Sequence, residues 1–248
     1  MPEAKDHYSH VHPEPEGERR ADVWRMFDRI APTYDLVNRL LSFNLDVAWR
    51  KTVIAHLPEG DDLALLDLAT GTGDQVIDLT RTGRVRRAVG VDMSREMLGR
   101  GREKVAAAGL SDVIAMEEGD ATALVNLSDA QFDAVTISFG IRNVVHVDRA
   151  LSEIHRVLAP DGRALILEFS LPSNRILRFG HRFYLRYVLP IVGGLVSGDW
   201  QAYRYLNTTI EAFPYGEAFC DLMREAGFSS AKAIPLSFGI ATLYEGRR

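Results

Sequence analysis

A single cysteine, Cys220, stands in 248 residues, so no internal disulfide framework and no multi-cysteine zinc site can form. Positive charge is in the minority. Lys and Arg number 29 against 34 Asp and Glu, and the net charge of −5 excludes a global electrostatic grip on nucleic acid. No run reaches the roughly 18 apolar residues of a spanning helix. The longest apolar stretch, at 188–196, is broken by Pro190, Gly193 and Gly194. The start carries neither a basic segment nor an apolar core of the secretory kind. A cytoplasmic protein is expected, with any membrane contact peripheral, at the inner face. What remains is ordinary globular material, 46% hydrophobic and 25% charged, enough for one large α/β domain or two small ones.

Residues 1–18 are rich in Pro, Glu and His and read as a disordered tail. His7, His10 and His12 lack a carboxylate or cysteine placed to complete a site, so no metal is expected. The pattern then turns helical, with Val23, Met26, Phe27 and Ile30 on one face and Leu36, Val37, Leu40 and Leu41 after Pro32. A further helix at 48–56 completes a helical lid over 19–57. Strands at 63–69, 87–92, 113–118, 132–138 and 162–169 alternate with helices at 74–81, 94–108 and 148–158, the last capped by Asp148. Such alternation implies parallel βαβ units in a doubly wound sheet. A mostly helical insertion at 171–212 and a helix at 216–226 follow. Strands 231–236 and 240–245, joined by Ser237-Phe238-Gly239, read as an antiparallel hairpin. Residues 19–248 are expected to form a single domain.

The chemistry gathers at strand ends. Leu65-Leu66-Asp67-Leu68-Ala69-Thr70-Gly71-Thr72-Gly73-Asp74 runs from the first strand into a helix, and Gly71 and Gly73 let a ligand approach bare backbone. A plain strand-to-helix turn is the alternative reading of that loop alone. Val76 occupies the place of the third glycine that a dinucleotide fingerprint requires, which disfavours a nicotinamide-dependent oxidoreductase. Asp92, followed by Met93, ends the second strand, where a carboxylate accepts ribose hydroxyls. Gly119-Asp120-Ala121 suits adenine, and Ser138 ends the fourth strand beside them.

Together these residues resemble class I S-adenosylmethionine-dependent methyltransferases, whose Rossmann-like, mostly parallel sheet ends in an antiparallel hairpin. The flanks narrow the resemblance. Met26-Phe27-Asp28-Arg29-Ile30-Ala31-Pro32-Thr33-Tyr34-Asp35-Leu36-Val37-Asn38 and Leu167-Glu168-Phe169-Ser170-Leu171-Pro172 look like the two signatures of the family that C-methylates demethylmenaquinone and the ubiquinone precursor. Ser138-Phe139-Gly140-Ile141-Arg142-Asn143 and Ala202-Tyr203-Arg204-Tyr205-Leu206 are similar to further family motifs, from about residue 23 to the end. Two departures stand out: Ala123-Leu124-Val125-Asn126-Leu127 replaces a Pro-rich segment, and Ala159-Pro160-Asp161-Gly162 replaces Lys-Pro-Gly-Gly. The resemblance implies S-adenosyl-L-methionine as cofactor and matches Thr72, Asp92, Asp120, Ala121 and Ser138 to cofactor contacts. Gly71, Gly73 and Met93 complete that set.

It also implies a prenylated quinol as substrate. A quinol carbon becomes nucleophilic as its hydroxyl loses a proton, so a polar group is needed there. Arg142 can stabilise a phenolate, Asn143 can orient a ring oxygen or water, and Tyr34 can approach from the lid. The alternatives are loop capping for the first two and lid packing for Tyr34. His146 and His155 are further candidate bases, against a surface role. Asp199 and Tyr203 are candidates for the acceptor site, against structural hydrogen bonding. Within 175–205, Arg175, Arg178, Arg182, Arg186 and Arg204 face one acid, Asp199. The first four share an arc of about 80° at 3.6 residues per turn, which suits an anionic membrane surface; a solvated face on a core-packed helix is the alternative. A soluble small-molecule methyltransferase and a non-catalytic S-adenosylmethionine-binding subunit are the rival functions. The oligomeric state is left open.

Overall fold

The computed structural model describes residues 23–248. The expected tail at 1–18, with its three histidines, lies outside the described residues. A seven-stranded sheet forms the centre, in the order β3-β2-β1-β4-β5-β7-β6. Its strands are β1 (Leu63–Leu68), β2 (Val85–Asp92), β3 (Ile114–Glu118), β4 (Phe132–Ser138), β5 (Leu158–Phe169), β6 (Ser230–Leu236) and β7 (Ala241–Arg247). The first five pair in parallel, and β7 runs antiparallel between β5 and β6. All six residues of β1 are buried, because helices cover both faces of this strand. The doubly wound sheet and its terminal hairpin agree with the sequence reading.

Helices pack on each face. On one, α6 (Val147–Val157) and α10 (Glu217–Glu225) bury Leu151, Ile154, Phe219 and Met223 against β4 and β5. On the other, α3 (Leu45–Ala55), α4 (Asp74–Thr80) and α5 (Arg95–Ala107) bury Trp49, Val53, Leu79 and Leu98. Ser94 caps α5 by accepting from the Met97 N–H at 3.2 Å.

Three expectations need correction. His146, not Asp148, occupies the N-cap of α6; Asp148 lies in the first turn, where its charge still favours the helix end. The helix expected at 48–56 begins at Leu45, because left-handed Asn44 (φ 61°) closes the preceding turn and starts a new helix. The fifth strand begins at Leu158, four residues before the expected start at 162, and takes in the turn with Asp161 at φ 63°. That left-handed conformation explains why glycine suits this position.

The remaining helices close the sheet's carboxyl edge. The lid helices α1 (Val23–Ile30) and α2 (Tyr34–Leu41) share a core with the insertion, in which Val23, Ile30 and Val37 meet Leu185, Leu189 and Tyr203. The insertion runs from α7 (Arg175–Phe183) through a π-helical turn at Tyr184–Val188 into α8 (Leu189–Ser197), then turns back as α9 (Trp200–Ala212). Pro190 has no N–H to return to Arg186, and the chain widens into the π turn just before it. Gly193 and Gly194 bring α8 against α9. A Cβ at either would lie 2.4 Å from the rings of Tyr203 or Trp200.

Candidate active site

Parallel strands carry their carboxyl ends to one edge, and the register sets Asp67 beside both Gly90 and Thr136 there. Just past β1, Ala69 (φ 48°) and Gly71 (φ 57°) turn the chain through left-handed backbone, and Phe139 (φ 58°) does so after β4. Alanine and phenylalanine pay for that conformation, a cost found where a site fixes the backbone. Gly140 answers Ala69: a Cβ there would sit 2.4 Å from the Ala69 Cβ.

Two cavities open at this edge. One, of about 310 Å³, is lined by Val91, Asp92, Met93, Met97, Asp120 and Ala121, with Gly71 and Ser138. The other, of about 460 Å³, lies under the lid and insertion, lined by Thr72, Asp74, Gln75, Arg142, Phe169, His181 and Tyr184 among others. Phe27, Tyr34, Ala69, Gly71, Ser138, Phe139 and Asn143 border both, so the two meet at one wall.

Asp92 organises the smaller cavity. Its oxygens accept from the N–H groups of Gly71 and Ser94, each at 2.8 Å, tying glycine loop to strand end. Burial raises its pKa above the usual aspartate range against those backbone donors. The Met93 N–H adds a further backbone bond, and the lone-pair capacity that remains faces the cavity, where a diol can donate to it. Asp120 accepts from the Thr122 N–H at 2.8 Å, shaping the loop after β3. Ser138 donates to Gln75 Oε1 at 3.2 Å. Thr72 turns away from this cavity: its hydroxyl donates to Asp35 Oδ1 at 2.7 Å and accepts from Lys104 at 3.1 Å.

In the larger cavity Arg142 is buried and committed. Its Nη1 donates to Glu168 Oε1 at 2.7 Å and to the Phe139 carbonyl at 2.5 Å, and its guanidinium lies 5.3 Å from the Phe169 ring centroid. Only its other nitrogens are left to face a substrate, and Nε has no partner. Asn143 Oδ1 is likewise buried without a partner. Tyr34 is raised in pKa by burial, against the opposing pull of Asn38 and Arg142, and so keeps its proton at neutral pH. Tyr203 lines the cavity with a hydroxyl pushed up to about 12 by burial.

Not every candidate reaches the site. His146 borders the smaller cavity from the N-cap of α6. His155 borders neither; its ring packs edge-on to Phe228, 5.3 Å between centroids, which removes it as a base. Asp199 caps α9 by accepting from the Ala202 N–H and pairs with Arg29 at 3.1 Å, a structural role. The arginine stripe is also modified, since Arg182 and Arg186 both pair with Glu211 across on α9. That acid lies outside the stretch over which the charges were counted.

Several residues went unforeseen. Asp67 lies under the loop, accepting from Thr70 at 2.6 Å and Thr136 at 2.5 Å. Gln75 leaves Nε2 buried and unpartnered beside Ser138. Lys104 ties the lid to the loop through Asp35 and Asp74. The identities of Asp67 and Glu168 inside apolar strands were the available signal, since a buried acid demands a partner.

A slot walled by Val91 and Met97, a carboxylate with remaining acceptor capacity, and unpartnered Gln75 Nε2, bonded through its Oε1 to Ser138 of the shared wall, fit S-adenosylmethionine from adenine to amino acid. Fold and site together define a class I S-adenosylmethionine-dependent methyltransferase. Solved structures share the fold: a methyltransferase of Thermotoga maritima has a TM-score of 0.64 at 20% identity, covering 90% of this chain and 99% of that one. One from Methanococcus maripaludis gives 0.63 at 20% identity, over 89% of this chain and 93% of that one. The chain belongs to the ubiE/COQ5 methyltransferase family, whose profile matches residues 15–248. Its relatives include a demethylmenaquinone methyltransferase of Thermus thermophilus, 45% identical over 90% of this chain and 100% of its own. A ubiquinone/menaquinone biosynthesis C-methyltransferase UbiE of Geotalea uraniireducens is 42% identical over 93% of this chain and 98% of its own.

Proposed function

We propose that this protein, as one methyltransferase domain over residues 19–248, methylates a ring carbon of a prenylated quinol, demethylmenaquinol first among them. The observation that carries this reading is the single wall where a cofactor-sized cavity holding Asp92 and Asp120 meets a larger one lined by Phe27, Phe139, Phe169 and Tyr184. The names of the relatives, demethylmenaquinone methyltransferase and UbiE, point to the same substrate class.

S-adenosylmethionine supplies an electrophilic methyl group when bound. Asp92 would hold its ribose, Asp120 and Ala121 its adenine edge, and Gly71 and Ser138 its amino-acid end, with Met93 flanking the slot; Thr72, turned to Asp35 and Lys104, and Gly73, which borders neither cavity, shape the loop instead of touching the cofactor. Tyr34, Phe139 and Asn143, at the shared wall, align the ring carbon with the methyl group, and alignment is most of what this transfer needs. Asn143 Oδ1 orients a ring hydroxyl. Arg142, held by Glu168, places positive charge beside the oxygen that becomes anionic.

A prenylated substrate lies in a bilayer, and the insertion presents a face for one. Ile176, Phe179, Phe183, Tyr187, Ile191 and Leu195 recur every three or four residues along α7, the π turn and α8, all exposed, with Ile176 at 82%. This ridge supports peripheral membrane contact more directly than the arginines, two of which share Glu211 and so keep one net positive charge between them. No described helix is long and apolar enough to cross a membrane. Radiolabelled methyl transfer to demethylmenaquinol and to a benzoquinol analogue tests the reading. Label incorporated into the naphthoquinol is expected, and none into either would overturn it.

A further inference from the structure

The larger cavity holds one base that nothing in the protein uses. His181, on α7, lines it, and its Nδ1 is buried without a hydrogen-bond partner. The carboxylates around the same cavity are already engaged. Asp35 holds Thr72 and Lys104, Asp46 holds Arg50 and Ser42, Asp67 holds two threonines, and Asp74 holds Lys104 and Arg50. The Tyr184 hydroxyl is spent on the Leu41 carbonyl at 2.6 Å. A buried nitrogen without a partner costs about as much as a lost hydrogen bond, and such an atom in a cavity marks a place where a ligand supplies the missing donor.

Resting on the quinol reading above, we propose that His181 is a substrate-contact residue whose Nδ1 accepts the hydrogen of one ring hydroxyl of the bound quinol. Asn143 Oδ1, which also lines this cavity buried and without a donor, takes the second. A hydroquinone is the ring that brings two hydroxyl donors at once. A neutral imidazole carrying its proton on Nε2 leaves Nδ1 as the acceptor. Burial favours the neutral form, holding the pKa of His181 below the usual histidine value against the pull of Glu211.

The test compares ligands with and without hydroxyls, so that packing and hydrogen bonding separate. Binding of 2-methylnaphthalene-1,4-diol and of 2-methylnaphthalene is measured anaerobically, with S-adenosylhomocysteine present. His181→Phe is expected to weaken the diol about tenfold and leave the hydrocarbon unchanged, while His181→Gln, which keeps an acceptor, recovers part of the loss. In wild-type protein labelled with ¹⁵N-histidine, the Nδ1 resonance of His181 is expected to shift on adding the diol and not the hydrocarbon. This readout needs no variant and is insensitive to a merely structural role. A diol that binds His181→Phe as tightly as wild type, or an unmoved Nδ1 resonance, overturns the assignment and leaves the quinol reading standing. Wild-type protein that binds S-adenosylhomocysteine and no diol removes both.

Discussion

Asp67 is the place where function and stability pull against each other most measurably. Its carboxylate is buried under the glycine loop with two threonine hydroxyls and no cation in hydrogen-bond contact, and burial, outweighing those hydroxyls, raises its pKa from 3.8 to about 6. The folded state therefore holds this proton more tightly than the unfolded chain does. Between about pH 4 and 6 folding takes up a proton, so stability falls as pH rises through that window and stays lowered above it. At 1.36 kcal/mol per tenfold change in acidity, the shift corresponds to about 3 kcal/mol at neutral pH. Asp67→Asn removes the buried charge and turns one of two acceptors into a donor, at a cost of about 1 kcal/mol. The variant should be more stable than wild type by about 2 kcal/mol at pH 7.5, or about 4–8 °C in Tm for a protein of this size. Below pH 4, where wild type carries the proton too, the advantage should disappear and reverse slightly. Urea unfolding across pH 4–8 checks this. A difference between the two proteins that does not vary with pH would refute the reasoning. The same substitution should weaken S-adenosylmethionine binding, because the loop it supports is the proposed seat of the cofactor.

Asp92→Ala should weaken S-adenosylmethionine by about 1–3 kcal/mol in calorimetry, by leaving the ribose hydroxyls without their acceptor; unchanged affinity would place the ribose elsewhere. Glu168→Ala strands a buried guanidinium and should lower stability by about 3–5 kcal/mol, while Glu168→Ala with Arg142→Met should recover much of that loss in thermal melts. Replacing Phe179 and Phe183 together with Ser should cut partitioning onto vesicles by on the order of 3 kcal/mol, read by flotation. Replacing Arg182 and Arg186 with Gln should do less, since Glu211 already offsets one of their two charges; the reverse ranking would restore the arginines as the anchor.

Local signals were enough for the alternation of strands and helices, the glycine loop and the Asp92 strand end, because each leaves its mark on residues adjacent in sequence; the parallel pairing then follows from that alternation. Apolar runs such as 63–68 and glycines at 71 and 73 are features that a strand and a tight turn impose on their own residues. The flanking motifs likewise made the family legible. What a side chain faces across the fold was beyond that reach. Arg142 looked free until β5 brought Glu168 within 2.7 Å, and the arginine stripe looked unbalanced until α9 folded back to place Glu211 beside it. His155 looked available until Phe228 covered it, and His181 drew no notice until α7 set its Nδ1 in the cavity. Charge and chemistry depend on neighbours within a few ångströms. Those neighbours lie 25 to 73 positions away in the chain, at distances that no local pattern encodes.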